Sequence, residues 1–127
     1  SDFTKAIELK PDYPMAYNNR GLAKRDIEDY YGAISDYNKA IELDPDNHFY
    51  YENRGIAKGQ LEDHYGAISD YNKSLELNPD YGSSYYGRAL SKALLKNYSE
   101  ACQDARKAKE LGHETSEVAD VICDLIE

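Results

Sequence analysis

Three histidines, two cysteines and several acidic pairs are the residues of this chain whose types could do chemistry. His48, His64 and His113 have no partner at the short, regular spacing of a metal-ligand set, so no metal site is expected. Cys102 and Cys123 form no CxxC pair, and neither has an adjacent His or Lys to activate it. They read as free, buried thiols, which belong with a reducing compartment such as the cytoplasm. Glu28-Asp29 and Glu62-Asp63 sit in polar links and read as helix caps and solvated surface rather than catalytic carboxylates, which need a pocket that raises their pKa. There is no Gly-rich phosphate loop, no GxSxG and no HExxH. The expectation is a protein with no catalytic residue and no cofactor.

Charge narrows the partners. The net charge is −9 and no basic cluster interrupts it, whereas nucleic-acid binding depends on Lys and Arg neutralising phosphates. Anionic membrane surfaces are disfavoured for the same reason, and no apolar run approaches the roughly 18–20 residues needed to span a bilayer.

The elements that would position any site follow from a repeat. GAISDYNK occurs at 32–39 and again at 66–73, 34 positions apart. Extended outward, segments 14–47 and 48–81 align without a gap and share about 20 of their 34 positions. A diverged third copy fills 82–115. Residues 1–13 are the back half of a fourth, because DFTKAIELKPDY matches DYNKAIELDPDN. The chain thus begins in mid-repeat, as a piece of a longer array would.

Each copy reads as two helices. The first, near Met15–Ile27, spaces Tyr17, Gly21 and Ala23 as a helical face requires. The second, near Tyr30–Leu43, carries Ala33, Ile34, Tyr37, Ala40 and Ile41 as a buried stripe. Asp29 is placed to cap the second helix, and DPD at 44–46 and NPD at 78–80 close each pair. The tail, 116–127, reads as a capping helix with Val118, Val121, Ile122, Leu125 and Ile126 on one face. Glu117, Asp120, Asp124 and Glu127 line the other. The fold class is all-α: an α-solenoid of antiparallel helix pairs within one domain, 1–127.

These anchors resemble the tetratricopeptide repeat. They are Tyr17-x₂-Arg20-Gly21 and Tyr51-x₂-Arg54-Gly55, then Ala33-x₃-Tyr37 and Ala67-x₃-Tyr71, then Pro45 and Pro79. Tyrosine stands where the pattern has tryptophan. The third copy departs at Ala105 and His113, which implies looser packing there. The resemblance implies a non-catalytic interaction module whose first helices line a concave, nearly neutral groove for a peptide. By position the groove residues are Met15, Asn18, Asn19, Leu22 and Arg25, then Phe49, Glu52, Asn53 and Ile56, then Tyr86 and Leu90. Asn19 and Asn53 are expected to offer free amides to a peptide backbone, so that replacing both weakens binding without changing melting. Phe49, Tyr50 and Tyr86 stand outside the packing anchors and are singled out as candidate contacts. The carboxylate clamp of related chaperone-tail binders falls on Asn18, Leu22, Asn53, Ser83 and Gly87, where only Asn53 matches; no such clamp is expected.

The alternative is structural: a spacer in a longer array, or a segment that self-associates through its open N-terminal end. Phe3, Ile7 and Leu9 there lack a first helix of their own.

Overall fold

A computed structural model describes residues 2–114 and 116–126. They form eight helices and no strand: α1 (Asp2–Leu9), α2 (Pro14–Asp26), α3 (Tyr30–Leu43), α4 (His48–Gln60), α5 (His64–Leu77), α6 (Gly82–Leu94), α7 (Tyr98–Glu110) and α8 (Ser116–Asp124). The pairs α2/α3, α4/α5 and α6/α7 stack in chain order, with α1 against α2 and α8 against α7. This is the all-α solenoid expected from the repeat.

Local chemistry explains where the helices begin and end. Pro14 opens α2 with its φ already fixed and no N–H left over. Asp29 and Asp63 cap α3 and α5, each accepting a 3.0 Å hydrogen bond from the backbone N–H of Gly32 or Gly66. A cap of this kind stabilises a helix by about 1 kcal/mol. The glycine is needed, because a Cβ on Gly32 would lie 2.2 Å from the Asp29 carboxylate. Glu28, Glu62 and Lys96 turn the chain between paired helices with φ of 63°, 64° and 66°.

The repeated octamer becomes legible letter by letter. Ala33 and Tyr37 are fully buried, and Tyr37 lies against Gly21, where a Cβ would come within 2.6 Å of the ring. Asp36 accepts two bonds from Arg20, at 2.8 and 2.7 Å, and a 3.1 Å contact from Lys24. The same arrangement joins Asp70 to Arg54 and Lys58, and Asp104 to Arg88 and Lys92. Asn38 reaches the next repeat by accepting from Arg54 at 3.0 Å, and Asn72 accepts from Arg88 at 2.9 Å.

No helix pair closes its own core. Tyr17, Ala40 and Tyr50 form one cluster from three successive helices, and Ala33, Tyr37 and Ala57 form another. Each therefore needs the first helix of the next repeat to keep water out. The anchor tyrosines have a further use: the hydroxyls of Tyr17 and Tyr51 donate to the carbonyls of Pro11 and Pro45 at 2.9 Å. Tyrosine in place of tryptophan thus ties each first helix to the turn before it.

Three expectations are corrected. Cys102 and Cys123 are not free thiols; they form a disulfide, with Cα atoms 4.8 Å apart, that joins α7 to α8. Cys102 is buried in a cluster with Ala101 and Ile122, and Cys123 packs against that cluster from α8, so the link lies inside the packed α7–α8 contact. The inference of a reducing compartment loses its premise. Second, the third repeat is not loosely packed at Ala105, which is fully buried with Ala89 and Ala119. Small residues on both sides replace the glycine–tyrosine fit of the earlier copies. Third, α8 ends at Asp124, and Val121, Leu125 and Ile126 are exposed, so Val118, Ala119, Ile122 and the disulfide-bonded Cys123 make its inward contacts. Glu127 lies outside the described residues.

Candidate functional site

The first helices of the three repeats, α2, α4 and α6, carry all the expected groove residues, and the structure divides them into three groups. Ile56, Tyr86 and Leu90 line a cavity of about 260 Å³ between α4 and α6, together with Gly59, Gln60, Ser83, Gly87 and Leu94. Met15 and Phe49 are surface residues, 41% and 47% exposed. Asn18, Glu52 and Asn53 are buried, Asn19 and Arg25 half-buried, and Leu22 packs on the cluster of Ala33, Tyr37 and Ala57.

The buried group changes the reading of the amides. Asn53 donates to Asn18 at 2.9 Å across the α2–α4 boundary, so one of its amide N–H groups is already used by the fold. Asn19 and Asn53 share a register position but not an environment, and replacing Asn53 would disturb packing as well as any ligand. Tyr50 is also a core residue: it is 1% exposed and its hydroxyl donates to the Met15 sulfur at 3.2 Å.

Glu52 is the unusual member. It is only 6% exposed, and its two oxygens accept from the hydroxyls of Tyr81, at 3.1 Å, and Ser83. Burial and the adjacent Glu52 carboxylate push Tyr81 up to about 12, so it holds its proton and donates. Beside this pair, the rings of His48, Phe49 and Tyr81 pack together with centroids 4.1 to 5.5 Å apart. No lysine or arginine among the described residues pairs with Glu52.

Sequence reasoning missed two cavity residues from a second helix. Tyr71 and His64, both on α5, reach the cavity between the first helices. Tyr71 can do so because Gly87 stands where the earlier copies have Asn19 and Asn53. A Cβ on Gly87 would lie 2.5 Å from the Tyr71 ring. That glycine was the available signal. Burial raises the Tyr71 hydroxyl well above its ordinary value, Glu52 and Asp70 raise it further, and Arg25 opposes them. A second, apolar hollow of about 440 Å³ continues from Leu90 and Leu94 to Val118, Val121 and Ile122 of α8.

Sequence models described as tetratricopeptide repeat match residues 14–47 and 50–81. The chain belongs to the tetratricopeptide repeat family. No curated sequence matches it. Among solved structures, the first tetratricopeptide-repeat (TPR) domain of human RPAP3 is 26% identical with a TM-score of 0.87, covering 91% of this chain and 94% of that one. The Arabidopsis OM64 TPR domain is 26% identical with a TM-score of 0.86, covering 90% and 96%. The first TPR of Spaghetti (RPAP3), bound to the HSP90 peptide SRMEEVD, is 26% identical with a TM-score of 0.83, covering 89% and 90%.

Proposed function

We propose that this TPR chain is a non-catalytic protein–protein interaction module that holds a peptide segment along α2, α4 and α6. The observation that carries the reading is the cavity between α4 and α6. It is concave and walled by Ile56, Tyr86, Leu90 and Leu94, with Ser83 and Gln60 as polar points, the composition expected of a recognition pocket. The similar Spaghetti domain, whose structure contains a peptide, supports it.

The segment differs from an acidic chaperone tail. The five clamp positions hold no lysine or arginine, Asn53 is bonded to Asn18, and Ser83 is bonded to Glu52. A terminal carboxylate there would lose charge-assisted bonds of about 1.5–3 kcal/mol each. Among the expected contact residues Arg25 carries the one positive charge and Glu52 the one negative charge.

Selection from a phage-displayed library of random dodecapeptides tests the proposal. The wild-type chain should enrich related sequences, and Leu90→Asp or Tyr86→Ala should weaken the enriched peptides by about 1–3 kcal/mol with melting little changed. No enrichment, or enriched peptides that bind both variants unchanged, would overturn it.

A further inference from the structure

The chain buries several carboxylates, and Glu52 differs from the three aspartates of the repeat ladder. Asp36, Asp70 and Asp104 each receive an arginine and a lysine from the preceding helix, at 2.6 to 3.1 Å. Their negative charge is answered inside the fold. Glu52 receives two neutral hydroxyls and no cation among the described residues, although it is buried to the same degree. Two hydroxyls satisfy two of the roughly four lone-pair sites of a carboxylate and none of its charge.

Its surroundings suit a cation from outside. Ser83, which donates to Glu52, is itself part of the cavity wall, so one hydroxyl stands between the carboxylate and the cavity. Phe49, one turn before Glu52 on α4, is exposed and packs edge-on against Tyr81 at 5.5 Å, and Tyr81 donates to the same carboxylate. An aromatic face beside a buried negative charge attracts an ammonium or guanidinium group by both mechanisms at once. Arg25, the groove residue of opposite sign, makes no ion pair among the described residues and acts on Tyr37 and Tyr71. At longer range, the net charge of −9 favours a basic segment.

We propose that the groove selects a segment with a lysine or arginine side chain at Glu52, beside the Phe49 and Tyr81 rings, next to an apolar side chain that fills the cavity between α4 and α6. This selection rests on the peptide-groove reading above and adds the chemistry of the occupant.

Two pools of acetylated, amidated octapeptides test it by fluorescence anisotropy. Each peptide has one Leu, Ile or Phe and, at varied spacing, one Lys; the second pool has Glu in place of Lys. The acidic heptapeptide SRMEEVD serves as a third probe. The wild-type chain should prefer the lysine pool by about tenfold at low salt, with the preference shrinking as salt rises. SRMEEVD should bind more weakly than the lysine pool. Glu52→Gln should bring the ratio of the pools close to one while retaining the cavity, and Phe49→Ala should lower it several-fold. Preference for the glutamate pool or for SRMEEVD, or a ratio that Glu52→Gln leaves unchanged, overturns the charge selection and leaves the groove standing. Retention of neither pool overturns both. Thermal melting checks that each variant is folded. Should Glu52→Gln unfold the chain, the exposed Phe49→Ala and the wild-type salt dependence decide the matter.

Discussion

The seam between paired helices and the inner edge of the groove bury the same chemical group in opposite ways. In the seam, Asp70 sits under a forked arginine and a lysine, and Arg54 also reaches back to Asn38 of the previous repeat. At the groove, Glu52 sits under two hydroxyls. The first charge is completed by the chain and fixes one helix of a repeat against the other. The second is held in position but left electrically open. A buried charge therefore carries different information according to who neutralises it, and only the unneutralised one bears on partners.

One change of atom, oxygen to nitrogen, applied at each place can break this comparison. Asp70→Asn leaves Arg54 and Lys58 without their counter-charge and should cost about 3 kcal/mol in urea unfolding. A loss below about 1 kcal/mol would mean that the ladder contributes little. Glu52→Gln removes a charge that no cation answers and keeps an acceptor for a hydroxyl, so its cost should stay within about 1 kcal/mol by the same measurement. Equal losses at the two sites would erase the distinction.

Titration sharpens it with a smaller effect. Burial lowers the pKa of His48, and Glu52 partly opposes that shift. A histidine whose folded pKa is depressed binds its proton more readily in the unfolded chain. Stability from this source is complete above the ordinary value of 6.5 and is lost as pH falls below it toward the folded value. His48→Gln should flatten the acid limb of stability against pH. Glu52→Gln should steepen it, because the opposing charge is gone. An acid limb unchanged in both variants would remove Glu52 from the surroundings of His48.

The fold can be read from the sequence because its causes are local and repeated. A period of 34, the buried stripe from Ala33 to Ile41 and the capping Asp29 each act within one helix pair, so spacing alone exposes them. The site is legible only in part. Register leads to Ile56, Tyr86 and Leu90 because a helix face follows from spacing along one helix. It does not lead to the Asn18–Asn53 bond, the hydroxyls on Glu52 or the burial of Tyr50. Those contacts join residues about 30 apart in chain order, and which partner a side chain meets depends on the angle between repeats. Tyr71 is hidden for a related reason: its entry depends on what α6 lacks at Gly87.

The cross-link between Cys102 and Cys123 gives one wall of the molecule a dependence that no other wall has. The hollow beyond Leu94 is closed by a helix of nine residues whose inward grip is Val118, Ala119 and Ile122. With the sulfurs joined, that helix cannot drift away without tearing α7. An electron donor strong enough to cleave the bond would leave the helix held by the apolar contacts of Val118, Ala119 and Ile122 alone. The extent of apolar surface at that end is then governed by the chemistry of the surroundings as well as by the order of amino acids.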